Sequence, residues 1–188
     1  MIKIPVEVSA RHCHLSPSDL AKLFGQGYKL KVLKIISQPG QFAAKEEIKI
    51  QGPKNELKVR IVGPVRQDTQ IELAATDCYK LGLKPVLRVS GNIKGTPGAI
   101  LLGPKGKIRI SQGVIVAQRH LHLSPAEAKS LKLKNGKLVS VKIKGPRGLI
   151  FDNVIVRSGV GHKKSFQLDT DEGNACGWVQ GMIGELII

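Results

Sequence analysis

One short sequence word occurs twice in this chain and carries four of its five histidines. Residues 9–17 read SARHCHLSP, and residues 117–125 read AQRHLHLSP. Alternate side chains of a β-strand point to the same face, about 6–7 Å apart along the chain, whereas on a helix they would diverge. The word therefore predicts two extended segments, each of which presents two imidazoles on one face.

The repeated histidine pairs are His12 with His14 and His120 with His122. A single histidine in a β-protein usually has a structural role, but two matching pairs predict metal binding, because imidazole is a costly group with which to fill a core. Nitrogen ligands suit zinc best, and iron, cobalt, nickel and copper remain open. We expect two ions, and the duplication would allow both pairs to meet at one site.

Each word ends in Ser-Pro and is followed two residues later by an acid. Serine at the N-cap, proline at the first helical position and an acid in the first turn predict short helices over residues 19–24 and 126–131. The free N–H groups beside Ser16 and Ser124 would also offer an anion site near the metal. Plain capping is the alternative role for both serines.

Three Gly-Pro turns, at Gly52, Gly103 and Gly145, separate pairs of β-branched runs. Proline at the second turn position favours type I or type II turns. Many short strands with such turns are typical of antiparallel barrels or sandwiches, and helix content should be low. The runs predict three hairpins: 47–51 with 57–62, 100–102 with 107–110, and 139–144 with 149–156.

Composition narrows the class of partner. The net charge of +16 favours anionic partners, but aromatic residues make up only 4% of the chain and leave few platforms for stacking nucleic-acid bases. No apolar run approaches the ~18 residues that span a bilayer. Three widely spaced cysteines form no disulfide framework and indicate a reducing compartment. We expect a cytoplasmic protein with no membrane partner, and nucleic acid is disfavoured as a partner.

Several longer motifs resemble one family over almost all 188 residues. The motifs are both histidine words, residues 37–44 (SQPGQFAA), 63–72 (GPVRQDTQIE), 90–91 (SG), 103–106 (GPKG), 151–154 (FDNV) and 169–175 (DTDEGNA). In this order they resemble the PduL-type phosphotransacylases, the phosphate propanoyltransferases of bacterial metabolism.

The resemblance implies a mainly β fold with two antiparallel β-barrel domains, short capping helices and internal duplication. Residues 1–43 with 117–188 would form the first barrel and carry both histidine words. Residues 44–116 would form an inserted second barrel that carries Arg66 and Glu72. The implied reaction interconverts short-chain acyl-CoA plus phosphate with acyl phosphate plus CoA, at a dinuclear site that usually holds zinc. A homodimer is also implied.

The resemblance further implies roles for individual residues. Arg66 matches the family's phosphate-binding arginine, a role that suits a permanently charged, fork-shaped guanidinium. Arg66 and Glu72 are six residues apart, so a regular strand would aim both at one face; from the residues alone, a surface ion pair is the alternative. The implied metal ligands are His12, His14 and Glu72 for one ion, and His120 and His122 for the other.

The chain departs from the family pattern at Gln167, where the family usually has a histidine. A glutamine amide is a weak neutral ligand, so the second ion would be loosely held or completed by water. His162 lies five residues earlier, and on a regular strand an odd spacing points it to the opposite face. We expect an exposed loop histidine there. A turn at residues 158–161 could break the strand phase, and ligation of the second ion by His162 is then the alternative.

Two other functions remain open. A dinuclear metallohydrolase of phosphoesters or thioesters would be recognised by hydrolysis without phosphate. A basic, metal-stabilised β-barrel that binds nucleic acid would show salt-dependent binding and no acyl transfer. Only eight residues precede Ser9, so we expect no microcompartment-targeting extension and a free cytosolic enzyme.

Overall fold

The computed structural model describes residues 2–188, which form fifteen strands and four short helices. The predicted mainly β class is confirmed. The helices are α1 (Pro17–Phe24), α2 (Ala75–Leu81), α3 (Pro125–Ser130) and α4 (Thr170–Cys176). The strands are β1 (Ile2–Val8), β2 (His12–His14), β3 (Val32–Ile35), β4 (Phe42–Gln51), β5 (Glu56–Gly63), β6 (Gln70–Glu72), β7 (Leu87–Arg88), β8 (Ala99–Leu102), β9 (Lys107–Ile110), β10 (Val114–Ala117), β11 (His120–Leu123), β12 (Leu138–Ile143), β13 (Leu149–Ser158), β14 (Ser165–Leu168) and β15 (Ile183–Ile187).

The chain forms two compact units whose bounds differ from those of the predicted domains. Residues 2–9 with 118–188 form one unit, called here the barrel unit, and residues 10–117 form the other, the sheet unit. Residues 10–43 belong to the sheet unit because β2 hydrogen-bonds to β5 and β6, and β3 hydrogen-bonds to β4. The two histidine words therefore lie in different units.

The barrel unit is a closed six-stranded barrel in the order β1-β14-β11-β13-β12-β15. Antiparallel pairing of β1 with β15 closes it, but β1 runs parallel to β14 and β11 runs parallel to β13. The barrel is therefore mixed, whereas the sequence predicted antiparallel pairing. Strand alternation fills its core, as in β12, where Val139, Val141 and Ile143 are buried.

The sheet unit is a nine-stranded sheet that curls into a half-barrel instead of closing. Its strands follow the order β7-β10-β6-β2-β5-β4-β8-β9, and β3 pairs with β4 beside this path. β2 runs parallel to β5, and β10 runs parallel to both β6 and β7. The short strand β2 thus lies in the middle of the sheet, where both of its edges are paired.

The three predicted hairpins are confirmed as the antiparallel pairs β4–β5, β8–β9 and β12–β13. Two of their turns also cover helix ends. Lys54 N donates to the carbonyl of Leu81 at the end of α2, and Lys105 N donates to that of Leu23 in α1, both at 3.0 Å. A Cβ on Gly103 would lie 2.6 Å from the Leu23 carbonyl oxygen, so this close approach requires glycine.

Both predicted helix starts are confirmed. Ser16 Oγ accepts a hydrogen bond from Asp19 N at 3.2 Å, and Ser124 Oγ accepts one from Glu127 N at 3.3 Å. The Glu127 carboxylate accepts a hydrogen bond from Ser124 N at 2.8 Å, which completes a capping box. None of the helices within residues 2–188 is long and apolar enough to span a membrane.

Candidate functional site

The first histidine word is held in the centre of the sheet unit by two neighbouring strands. In the antiparallel pairing of β2 with β6, His12 lies opposite Glu72 and His14 lies opposite Gln70. Cys13, between the histidines, points to the other face and is completely buried, and this burial raises the pKa of its thiol. The predicted strand phase is thus confirmed, with both imidazoles on one face.

His12, His14 and Glu72 converge on one point. Their ligand atoms all lie within 4.8 Å of one another, and among residues 2–188 this is the one trio of histidine, cysteine or acidic side chains that does so. His12 Nε2 is 3.8 Å from Glu72 Oε2, and the two rings are T-shaped with centroids 5.1 Å apart. The predicted residues of the first ion are therefore brought together.

The histidines of this trio are oriented by the backbone. His12 Nδ1–H donates to the Ala10 carbonyl at 2.9 Å, and His14 Nδ1–H donates to the Val62 carbonyl at 3.0 Å. In this tautomer the Nε2 atom keeps its lone pair, as it does in histidines that bind metals. Burial, with the nearby charges of His12 and Arg66, lowers the pKa of His14 to about 3. Its imidazole is therefore neutral at neutral pH, the form that binds a cation.

Two residues that sequence reasoning missed, Gln70 and Ser90, hold the carboxylate of Glu72. Glu72 Oε1 accepts hydrogen bonds from Gln70 Nε2 and Ser90 Oγ, each at 2.7 Å. Gln70 in turn accepts a bond from Gly91 N at 2.7 Å. The position of Gln70, two residues before Glu72 on one strand, was the available signal for its role, because such residues share a face.

Arg66 reaches the same neighbourhood by a different route from the one predicted. It lies in the loop between β5 and β6, so the argument from regular strand spacing does not apply to it. Its backbone N donates to the Leu15 carbonyl at 3.0 Å, and its Nη1 is 3.5 Å from Ser90 Oγ. Arg66 and Glu72 therefore share Ser90 as a neighbour.

The second histidine word lies in the barrel unit, on β11 between β13 and β14. His120 lies opposite Gln167, and His122 lies opposite Ser165. The Nε2 atoms of His120 and His122 are 3.0 Å apart, and His120 Nδ1–H donates to the Gln118 carbonyl at 2.8 Å. A tetrahedral zinc ion separates two imidazole nitrogens by about 3.3 Å, so this pair is spaced closely enough for one ion.

Gln167 is in contact with two polar side chains beside this pair. Its Nε2 donates to Ser165 Oγ at 3.0 Å and to Glu7 Oε2. Glu7 is its neighbour on β1 in the parallel pairing of β1 with β14. The amide is therefore used as a hydrogen-bond donor between two neighbouring strands.

His162 lies in a loop, as expected, but it is not exposed. His162 is half-buried, and its ring packs on that of His122 with centroids 4.4 Å apart. A turn over residues 159–162, closed by a bond from His162 N to the Gly159 carbonyl, breaks the alternation of a regular strand. Phase counting along the strand fails there for that reason.

The arginine of each word forms an ion pair with an acidic side chain, a role that sequence reasoning missed. Arg11 Nε donates to Asp77 Oδ2 at 2.9 Å, and Arg119 Nε pairs with Glu172 Oε1 at 2.7 Å. Both acids lie in the first turn of a helix, α2 and α4 respectively. The repeated arginine in the word was the signal for this shared role.

Ser16 and Ser124 act as helix caps in the structure. Ser124 Oγ donates to Glu127 Oε2 at 2.8 Å in addition to accepting from the backbone, and Ser16 N donates to Thr69 Oγ1 at 2.9 Å. These bonds agree with the plain capping role. Anion binding at either serine stays a prediction.

Comparison with known proteins supplies the family. A sequence model of the phosphate propanoyltransferase family matches residues 5–179. A phosphate propanoyltransferase of Sebaldella termitidis is 49% identical over 183 residues, which cover 96% of this chain and 86% of the relative. Proteins of the same name from Salmonella typhimurium and Thermotoga maritima are each 47% identical, over 93% and 92% of this chain and 83% of each relative.

These matches cover both histidine words and nearly the whole of each unit, and they confirm the resemblance found in the motifs. On this similarity, together with the mainly β fold and the two strand-borne histidine pairs, the chain belongs to the phosphate propanoyltransferase family.

Proposed function

We propose that this protein is a phosphate acyltransferase that interconverts short-chain acyl-CoA plus phosphate with acyl phosphate plus CoA. Membership of the family supports the reaction class. The observation that supports the proposal at the level of residues is the convergence of His12, His14 and Glu72. Arg66 lies near this trio, since both Arg66 and Glu72 contact Ser90. This arrangement joins a cation-binding donor set to a phosphate-binding group.

The donor set fits a catalytic zinc ion. Two neutral imidazoles and one carboxylate leave a fourth coordination position for substrate or water. We propose one zinc ion at this trio and a second at His120 and His122 in the barrel unit. A bound ion would polarise the thioester carbonyl or position phosphate.

The side chains of this chain perform the remaining tasks. The Arg66 guanidinium offers parallel N–H donors to two oxygens of phosphate and keeps its charge at neutral pH. A phosphate oxygen forms a bond to the thioester carbonyl carbon, the C–S bond breaks, and CoA leaves as the thiolate and takes up a proton. Acyl phosphate is the other product.

No cysteine nucleophile takes part in this scheme. Cys13, Cys78 and Cys176 are all buried, with no more than 3% of any residue exposed. Burial also raises the pKa of Cys13 and of Cys176, which disfavours the thiolate that a nucleophile requires. Direct attack by phosphate needs no covalent enzyme intermediate. Homodimer assembly and a cytoplasmic location complete the proposal.

The experiment is a thiol-release assay. Purified zinc-loaded protein is incubated with acetyl-CoA or propionyl-CoA, with and without phosphate, and free CoA is measured with a thiol reagent. Acyl phosphate is trapped with hydroxylamine as the second product. We expect release that depends on phosphate and matches the trapped product mole for mole.

The alternatives have different outcomes in the same assay. Thiol release or phosphoester cleavage without phosphate would identify a metallohydrolase. Salt-dependent binding of a DNA or RNA oligomer, with no thiol release, would identify a nucleic-acid-binding protein. Either result would overturn the acyltransferase proposal.

A further inference from the structure

We propose that His162 is the third protein ligand of the ion held by His120 and His122, and that Gln167 is not a ligand. This rests on the proposed second metal ion, and it goes further by assigning a residue outside the repeated word. The contacts of the barrel unit carry it.

The three histidines of the barrel unit form one continuous cluster of rings. The centroids of His120 and His122 are 4.6 Å apart, and those of His122 and His162 are 4.4 Å apart. Both contacts are T-shaped, with interplanar angles of 85° and 76°. His122 is thus flanked by an imidazole on either side.

The backbone orients His162 as it orients the proposed ligands. His162 Nδ1–H donates to the Arg157 carbonyl at 2.9 Å. Nδ1 of His12, His14 and His120 makes a bond of the same kind. In each case Nε2 keeps its lone pair, and a carbonyl bond of this type raises the basicity of a ligating imidazole.

Gln167 is a poorer candidate by chemistry and by its contacts. Its amide nitrogen donates to both Glu7 and Ser165, which holds the side chain between β1 and β14. The remaining amide oxygen is neutral, whereas zinc prefers imidazole nitrogen, thiolate sulfur and carboxylate oxygen. The third ligand, which Gln167 on β14 does not supply, can instead be His162 in the turn that precedes this strand.

The turn before β14 brings His162 to this place. Gly161 has φ +81°, a conformation that favours glycine, and His162 N donates to the Gly159 carbonyl at 3.2 Å. A Cβ on Gly159 would lie 3.4 Å from His162 Cε1, so the ring packs against the glycine backbone. The position of the ring follows from this turn and not from strand phase.

Metal binding requires a small adjustment of this cluster. The ligand atoms of His120, His122 and His162 do not all lie within 4.8 Å of one another, whereas those of the trio in the sheet unit do. The ring of His162 therefore has to move toward the pair when the ion binds. His162 is half-buried at the end of a short turn, so this adjustment requires a change of its rotamer or of the turn.

The test compares His162→Gln with Gln167→Ala, and with Lys163→Gln as a matched control at the next residue of the turn. Zinc per chain is measured by elemental analysis after dialysis, and affinity is measured by chelator competition. We expect two ions in the parent, Gln167→Ala and Lys163→Gln proteins. His162→Gln should bind the second ion at least tenfold more weakly. Circular dichroism verifies that each variant is folded.

Nitrogen-15 NMR of labelled histidine gives a readout that does not depend on activity. The Nε2 resonance of His162 is assigned by its loss in His162→Gln. Zinc should shift this resonance in the parent protein, while Nδ1 of His162 stays protonated. An unshifted His162 resonance at saturating zinc, or the loss of one ion in Gln167→Ala, would overturn the assignment. If His162 does not bind zinc but the parent protein still catalyses phosphate-dependent acyl transfer, the assignment of His162 is wrong and the proposed function is retained. A zinc-bound His162 without acyl transfer would overturn the function alone.

Discussion

The two histidine words have the same local structure but different partners across the strand. In the sheet unit, His12 faces Glu72 and His14 faces Gln70. In the barrel unit, the equivalent partners are Gln167 for His120 and Ser165 for His122. The first histidine of each word therefore faces a carboxylate in one unit and an amide in the other.

This difference teaches that strand pairing, and not the repeated word, determines which charge lies beside each proposed metal site. Glu72 adds a carboxylate to the two imidazoles of its trio, which favours binding of a divalent cation. Gln167 brings none, and its amide is bonded to Glu7 instead. The sheet unit should therefore bind its ion more tightly than the barrel unit.

The largest expected effect comes from Glu72→Gln, which gives the sheet unit the amide of the barrel unit. We expect zinc affinity at that trio and phosphate-dependent thiol release both to fall by more than ~100-fold, since loss of a ligand exceeds the 10–100-fold cost of losing an outer partner. Chelator competition and the thiol assay measure the two effects. The control is Glu56→Gln, which alters an exposed ion pair with Lys49 near the turn of the β4–β5 hairpin. Unchanged zinc affinity in Glu72→Gln would contradict the proposal that the sheet unit binds its ion more tightly than the barrel unit.

Arg66→Ala tests whether phosphate binding belongs to the sheet unit. Loss of charge-assisted hydrogen bonds of about 1.5–3 kcal/mol should raise the KM for phosphate by roughly 10–150-fold. Zinc content should not change, because Arg66 is not a proposed ligand. Initial rates over a range of phosphate concentrations measure the effect, with the exposed Arg109→Ala as control. An unaltered phosphate KM would contradict the role of Arg66.

The arginine anchors allow the two units to be compared for stability. Arg11→Ala leaves Asp77 buried with its partner removed and should lower the free energy of unfolding by about 2 kcal/mol. Arg119→Ala should cost about 1 kcal/mol, because Glu172 still accepts a bond from Asp169 N.

Urea unfolding followed by circular dichroism measures both anchor variants. Lys22→Ala is the control, since its exposed pair with Asp19 should contribute almost nothing. Equal losses for Arg11→Ala and Arg119→Ala would show that burial of the acid does not set the cost.

The smallest effect is expected from Gln167→Glu, which supplies the barrel unit with the charge that it lacks. We expect the affinity of the second ion to rise about tenfold, since an added carboxylate attracts the cation. Without metal, repulsion from Glu7 should lower the melting temperature. Calorimetric zinc titration and thermal unfolding measure the two changes. Gln180→Glu, at an exposed turn residue of the barrel unit outside β11 and β14, is the control.

Much of the fold and part of the site could be predicted because their signals are local. Alternation along a strand placed His12 and His14 on one face with Cys13 behind them, and the Ser-Pro pairs started α1 and α3. The Gly-Pro turns likewise identified the three hairpins, whose strands are neighbours in sequence. Each of these features follows from a local rule, namely strand alternation, helix capping or turn formation.

The unpredicted parts depend on contacts between residues far apart in sequence or on irregular backbone. Ser90 reaches Glu72 from eighteen residues away, and Arg11 meets Asp77 across sixty-six. The half-buried position of His162 follows from a turn that interrupts strand alternation. Arg66 lies in a loop, so regular strand spacing does not determine its direction.

The sequence by itself determined that two short strands would each present two imidazoles, because side-chain alternation is a property of the backbone. It also determined the hairpins, the helix starts and the family. Only the tertiary structure decided that Glu72 would face one word and Gln167 the other, because strand pairing brings together residues that no local rule connects. The division of the words between a barrel and a half-barrel was decided in the same way, by backbone hydrogen bonds between distant segments.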